Sequence, residues 1–134
     1  MKIIELNLHK IIEICKRFHV RKLWVFGSIL TPRFNDNSDV DLCVDFEWDK
    51  IPLLDSADNF FGFQEALESL LGRKIDITDD SAVSNPYFRE ELNETRRLIY
   101  GYKDSKIFIR NYWCSQNIDY QRIFIICIFL NMYL

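Results

Sequence analysis

The sequence has little glycine, proline and histidine, and it shows no excess of basic charge. Among 134 residues there are four glycines, three prolines and two histidines. Lysine and arginine number 17 against 20 acidic residues, so the formal net charge is −3. Dedicated nucleic-acid-binding domains usually carry a basic stripe that releases counterions from phosphates. The charge balance therefore argues against nucleic acid as the partner.

Paired cysteines and long apolar runs are also missing. The cysteines at positions 15, 43, 114 and 127 are widely spaced, which predicts reduced thiols, with Cys15 and Cys43 as ordinary buried or strand residues. The longest apolar run, Ile123 to Leu130, has eight residues, whereas a membrane-spanning helix needs roughly 20. No signal-peptide pattern is present. We therefore expect a cytoplasmic protein without a membrane span.

The most informative stretch is residues 24–46. An apolar strand, residues 22–26, ends at Gly27-Ser28, and a second strand follows a polar loop. Its alternating positions are Asp39, Asp41, Cys43 and Asp45 on one face and Val40, Leu42, Val44 and Phe46 on the other. With a rise of about 3.3 Å per residue, Asp39 and Asp41 should share a face with Cα atoms roughly 6.6 Å apart. Two carboxylates at this spacing suit Mg²⁺, which prefers hard oxygen ligands.

The Gly-Ser pair predicts a phosphate site beside these acids. Gly27 can take backbone angles that other residues avoid, so the amides of the turn can point toward an anion. The hydroxyl of Ser28 offers one more donor. Asp45, further along the same strand face, is predicted to be exposed to solvent.

Gly27-Ser28, ten further residues and then Asp39-Val40-Asp41 together resemble the signature of the DNA polymerase beta-like nucleotidyltransferase superfamily. More narrowly, the stretch resembles the minimal nucleotidyltransferases (MNT), which are often paired with HEPN-domain toxins. The resemblance covers about residues 8–101. Family members often carry arginine three residues after the serine, where this chain has Thr31. The nearest arginine is Arg33, to which the resemblance assigns a triphosphate contact.

The resemblance also implies a third carboxylate, Asp76, in the short predicted strand Lys-Ile-Asp-Ile-Thr at 74–78. Asp39 and Asp41 would hold the metal that carries the triphosphate. Asp76 would help to bind a second metal or take the proton from the attacking hydroxyl. The alternative is that Asp76 is a surface residue on an edge strand.

The remaining pattern predicts helices at 8–18, 59–71 and from Pro86 to about Glu94. Asn7 and Asn85 are the expected N-caps and Gly72 the expected C-cap. Residues 96–101 read as a short strand or an extended closing segment. Its Arg96-Arg97 pair is a solvated charge run or, alternatively, a contact to nucleotide phosphate or a partner. The predicted fold is α/β (α+β), a small mixed β-sheet flanked by helices in the polymerase beta-like arrangement.

We divide the chain into a nucleotidyltransferase domain, residues 1–103, and an apolar, aromatic-rich tail, residues 104–134. The run at Ile123–Leu130 would expose a large apolar patch if it were free in water. The tail could be packed on the domain, form an interface with a second protomer in a homo-oligomer, or be a non-native extension.

The resulting hypothesis is an enzyme that uses Mg²⁺ to move a nucleoside monophosphate, AMP from ATP, to a hydroxyl. The MNT resemblance implies an antitoxin whose acceptor is a tyrosine of a HEPN toxin. Two alternatives stay open: an antitoxin that inhibits its partner by binding alone, and transfer to a small molecule, as in antibiotic-modifying nucleotidyltransferases. The latter usually carry a further substrate domain, for which the chain looks too short.

Overall fold

Four strands form one mixed sheet with helices packed on it in the computed structural model, which describes residues 2–101. The helices are α1 (Lys2–Leu6), α2 (Leu8–Arg17), α3 (Ser56–Leu71) and α4 (Pro86–Thr95), and the strands are β1 (Val20–Phe26), β2 (Val40–Phe46), β3 (Ile75–Asp79) and β4 (Arg97–Gly101). The predicted α+β class is confirmed. The tail and its boundary at residue 103 lie outside the described residues, so both predictions remain predictions.

The strand order in the sheet is β3-β2-β1-β4. Strand β1 runs antiparallel to both β2 and β4, whereas β2 and β3 are parallel. A tight hairpin cannot join parallel neighbours, so the chain crosses over between them through α3. This crossover brings the starts of β2 and β3 to the same end of the sheet. That end is where the predicted acids lie.

The alternation in β2 separates a core face from a second face. Val40, Leu42, Val44 and Phe46 are each at most 1% exposed and belong to the main hydrophobic core. Helix α3 covers this face with Phe63 and Leu67, both fully buried, and the rings of Phe46 and Phe63 lie 5.5 Å apart. The acids of β2 are therefore directed away from the core.

All three predicted capping residues lie at helix ends, and two of them make capping hydrogen bonds. Gly72 adopts a left-handed conformation, φ +65°, and its N–H donates to the Glu68 carbonyl. The Asn85 side chain accepts from the N–H groups of Tyr87 and Phe88. Asn7 lies at the N-cap position of α2, as predicted, but its side chain does not cap the helix, because its amide donates to the Ile3 carbonyl at 2.8 Å. Residues 2–6 already form a helix, which the sequence pattern did not predict and which offers that carbonyl.

The closing segment is a strand, β4, as one of its two predicted alternatives had it. Cys15 and Cys43 are buried free thiols, as expected. No helix between residues 2 and 101 combines the length and the apolar character that crossing a membrane requires.

Candidate active site

The three predicted acids meet at one end of the sheet. Asp41 is paired in register with Phe26 of β1 on one side and with Asp76 of β3 on the other. Paired residues on neighbouring strands lie about 5 Å apart with side chains on the same face. Asp39 precedes β2 and, two positions from Asp41, shares its face. The row Phe26, Asp41, Asp76 thus places the end of β1 beside all three carboxylates.

Gly27 follows Phe26, and its geometry explains why glycine stands there. Its φ is +76°, a conformation that other residues rarely adopt. A Cβ at this position would lie only 2.5 Å from Oδ2 of Asp41. The turn and the carboxylate are therefore packed directly against each other, and any side chain would push Asp41 away.

Ser28 lies in a short 3-10 helix, Gly27–Leu30, directly after β1. Its carbonyl accepts from both the backbone N–H and the hydroxyl of Thr31, at 2.9 and 2.8 Å. Thr31, where relatives of this pattern often carry arginine, thus closes the turn. The Ser28 hydroxyl makes no hydrogen bond within residues 2–101 and is half-buried next to the acids' end of the sheet.

Lys74 places a positive charge among the acids. Its Nζ lies 3.7 Å from Oδ2 of Asp39 and 3.7 Å from Oδ1 of Asp76. All three side chains are accessible: 64% exposed for Lys74, 45% for Asp39 and 52% for Asp76. Asp76 is thus an exposed residue of the edge strand and also a neighbour of the other two acids, and its role as a third catalytic carboxylate stays a prediction.

Among the three acids, Asp41 is the one whose ionised form is disfavoured by its surroundings. Burial raises its pKa above the usual carboxyl range, and the negative charges of Asp76 and Asp39 raise it further. Lys74 acts in the opposite direction but does not cancel these effects. A cluster of this kind is stabilised by a cation or by a proton.

The donor chemistry of the cluster fits a divalent cation such as Mg²⁺, since three carboxylates supply hard oxygen ligands from adjoining backbone positions. In the part of the chain that is described, however, no three acidic, histidine or cysteine side chains are already arranged around a metal position. The Lys74 ammonium holds two of the three carboxylates instead.

Arg33 is not brought to the acids by any described contact. It lies exposed in the loop before β2, where its backbone N–H donates to the Thr31 hydroxyl at 3.3 Å. The guanidinium has no partner within residues 2–101. Its assignment to a triphosphate stays a prediction.

Asp45 corrects one prediction. Its side chain is only 23% exposed, because the neighbouring side chains of the second sheet face cover it. Arg21 lies 3.6 Å from its carboxylate and offsets part of the cost of this burial. Asp45 is therefore a half-buried structural acid rather than a solvent-facing one.

Arg96 is not part of a solvated charge run, which was one of its two predicted interpretations. Its guanidinium stacks 4.0 Å from the Trp24 ring centre and donates to Asp80 at 2.7 Å, and its side chain is 17% exposed. Arg89 of α4 donates to the same carboxylate at 2.6 Å. Burial would raise the pKa of Asp80, but these hydrogen bonds and charges hold it below the usual range. The network ties α4 and β4 to the second face of the sheet, whereas Arg97 is exposed.

Cys43 lies under this network. Its thiol donates to Asp80 at 3.6 Å and accepts from Arg96 at 3.8 Å. Burial, followed by the charge of Asp80, raises its pKa to about 11. The thiol is therefore uncharged at neutral pH and packs as a structural group.

A cleft of about 650 Å³ adjoins the Gly27 turn and runs along α4. Its walls include Phe26, Thr31, Phe88 and Arg97. The cleft is open to solvent next to the phosphate-binding turn that the sequence predicts. It has the size range of small-ligand sites in proteins.

Two contributors to this region were missed from the sequence. Lys74 was treated only as a strand residue, although its spacing of two from Asp76 places both on one face. Asp80 had no such signal, because it lies in the turn after β3, whereas its partners Arg89 and Arg96 lie in α4 and at its C-cap. Only the tertiary fold brings those three together.

Comparisons with known proteins show which families and structures this chain is similar to. The family model described as "Polymerase beta, Nucleotidyltransferase" matches residues 9–105. The protein adenylyltransferase MntA of Thermococcus cleftensis is 38% identical over 82 residues, which are 61% of this chain and 78% of MntA.

Solved structures show the same fold. One described as a minimal nucleotidyltransferase is 28% identical, with a TM-score of 0.57 over 70% of this chain and 90% of its own. A second match comes from the complex of a tri-AMPylated Shewanella oneidensis HEPN toxin with an MNT antitoxin. It is 19% identical with a TM-score of 0.52, covers 94% of this chain and 98% of its own, and shows that the two chains share a fold.

Proposed function

We propose that this chain, which belongs to the minimal nucleotidyltransferases of the polymerase beta family, transfers AMP from ATP to a hydroxyl group on a partner protein. The observation that carries the proposal is the row of Phe26, Asp41 and Asp76 across three strands, with the Gly27 turn against Asp41. A phosphate-binding turn and a carboxylate cluster in contact are what transfer of a nucleotidyl group requires.

Asp39, Asp41 and Asp76 would hold Mg²⁺, which neutralises the triphosphate and polarises the phosphorus that is attacked. The raised pKa of Asp41 supports this assignment, because a bound cation would offset its two causes, the burial of the carboxylate and the repulsion from Asp76 and Asp39. The Ser28 hydroxyl and the amides of its turn would bind phosphate oxygens, and Arg33 would add a charge-assisted contact.

In the proposed reaction the acceptor oxygen forms a bond to the α-phosphorus of ATP. The bond from that phosphorus to the oxygen bridging to the β-phosphate breaks, and pyrophosphate leaves. The acceptor proton passes to the carboxylate of Asp76. Asp76 suits this role because it lies on the edge strand β3 and is 52% exposed, so the surface of another protein can reach it.

We propose a tyrosine of a HEPN toxin as the acceptor and antitoxin action in the cytoplasm as the role. Two observations support a HEPN toxin as the partner. A relative at 38% identity is a protein adenylyltransferase, and one structural match comes from a complex with a tri-AMPylated HEPN toxin. The exposed position of Asp76 is compatible with an acceptor as large as a folded protein.

The test is to incubate the full chain with a candidate HEPN toxin, ATP and Mg²⁺ and to measure the intact mass of the toxin. We expect the mass to increase by one or more AMP groups, which fragmentation should locate on tyrosine. Asp41→Asn should abolish the increase, whereas Asp36→Asn, an exposed loop acid, should not. Toxin inhibition without any mass change would instead support an antitoxin that acts by binding.

A further inference from the structure

We infer that Lys74 is a positioning residue that serves as the resident counter-cation of the acid cluster and competes with the divalent metal ion for it. The inference rests on the proposed function, because it assumes that Asp39, Asp41 and Asp76 bind a metal. It adds a residue whose charge sets how tightly the metal is held.

The geometry places one ammonium between two carboxylates from different strands. Nζ of Lys74 is 3.7 Å from Asp39 and 3.7 Å from Asp76, and both contacts are ion pairs. Asp39 and Asp76 are two of the three groups that the metal would need. A single positive charge therefore already occupies the position between them.

The backbone fixes this arrangement. Val40 is the register partner of Ile75. The residues that precede them, Asp39 and Lys74, therefore lie side by side at the end of the sheet where β2 and β3 begin. The Val40 N–H donates to the Lys74 carbonyl at 3.1 Å, which anchors the same point. Lys74 and Asp76 are two apart and share a face. The ammonium thus reaches the acids because of strand register and not through a chance side-chain contact.

A divalent ion and an ammonium cannot both sit between the same carboxylates without strong repulsion. The four-carbon stem of Lys74 is flexible and its side chain is 64% exposed, so the ammonium can swing into solvent when the metal enters. The loss of its ion pairs then opposes metal binding. Removing the charge of Lys74 should therefore increase the affinity for the metal, by roughly three- to tenfold once solvent screening is taken into account.

The experiment measures Mn²⁺ binding by electron paramagnetic resonance, without nucleotide. Lys74→Met keeps most of the stem and removes the charge, Lys74→Arg keeps the charge, and Lys10→Met, at an exposed position on α2, matches the change in net charge. We expect Lys74→Met to bind Mn²⁺ roughly three- to tenfold more tightly. Lys74→Arg and Lys10→Met should stay close to the wild type.

Thermal unfolding in a chelator gives a second readout. Lys74→Met should melt at a lower temperature than the wild type, because the acids then lack their internal cation. Mn²⁺ affinity in Lys74→Met that is equal to or weaker than in the wild type would overturn the inference about Lys74. A wild-type chain without a Mn²⁺ site that depends on Asp41 would overturn the proposed metal site itself, so the two failures can be told apart.

Discussion

Replacing Asp41 by asparagine should make the metal-free protein more stable. Asp41 is half-buried, it is the register neighbour of Asp76, and its carboxylate accepts no hydrogen bond from any residue in the described range. Two unit charges about 6 Å apart in a largely aqueous setting repel by about 0.7 to 1 kcal/mol. Asp39 and Asp76 each contribute such a term, and attraction to Lys74 and solvent screening offset a large part of it. We expect a net gain of about 0.5 to 1 kcal/mol, or about 2 to 5 °C in Tm.

The pH dependence of this gain follows from the raised pKa of Asp41. The unfolded chain ionises Asp41 in the usual carboxyl range, whereas the folded chain holds the proton to higher pH. The wild type therefore loses stability relative to Asp41→Asn as pH rises from the usual range through the folded pKa. Below the usual range both states are protonated and the difference should vanish.

Thermal melts of the wild type, Asp41→Asn and the control Asp36→Asn, in a chelator and from about pH 3 to pH 8, check this prediction. An Asp41→Asn variant that is less stable at neutral pH would refute the electrostatic reasoning. So would a stability difference that grows toward acid.

Three further changes give distinct outcomes. Gly27→Ala should destabilise the fold by about 1 to 3 kcal/mol and weaken Mn²⁺ binding, because it combines a strained φ with a clash against Asp41. Calorimetry measures the loss of stability and a Mn²⁺ titration measures the loss of binding. An unchanged Tm would contradict the geometry. Asp76→Asn should lower the transfer rate at least ~100-fold and leave ATP affinity nearly unchanged, which single-turnover assays and equilibrium binding separate; full activity would exclude its role as base. Asp80→Asn should cost about 1.5 to 3 kcal/mol at neutral pH, since Arg89 and Arg96 lose their carboxylate. That cost should disappear as pH falls through the lowered pKa of Asp80, and a pH-independent difference in urea unfolding would count against the network.

Local periodicity was sufficient to predict the core face of β2 and the shared face of Asp39 and Asp41. It predicted the mixed sheet as well, since the chain between Phe46 and Ile75 contains an amphipathic helix long enough for a crossover. Periodicity could not reveal the burial of Asp45 and Arg96. Asp45 is paired with Arg21, and Arg96 lies against Trp24 and Asp80, all of which are far away in sequence. Patterns within one segment carry no information about such partners.

The position of Asp76 shows how family resemblance and structure contribute differently. The resemblance predicted a role for Asp76, and the strand register explains why its side chain lies next to Asp41. The spacing of two that puts Asp39 and Asp41 on one face applies equally to Lys74 and Asp76, so the sequence also carried a signal for this cation. Asn7 lies at the N-cap of α2 without capping it, because the preceding residues are helical and its side chain bonds to the Ile3 carbonyl instead.

The central claim is that the acid cluster transfers the AMP portion of ATP to a protein. The most direct measurement compares ATP labelled at the α-phosphate with ATP labelled at the γ-phosphate, in the presence of Mg²⁺ and a HEPN toxin. We predict that the α label becomes covalently attached to the toxin and that the γ label is released as pyrophosphate, with both processes lost in Asp39→Asn/Asp41→Asn. Attachment of the γ label, or undiminished attachment of the α label in the double variant, would contradict the account.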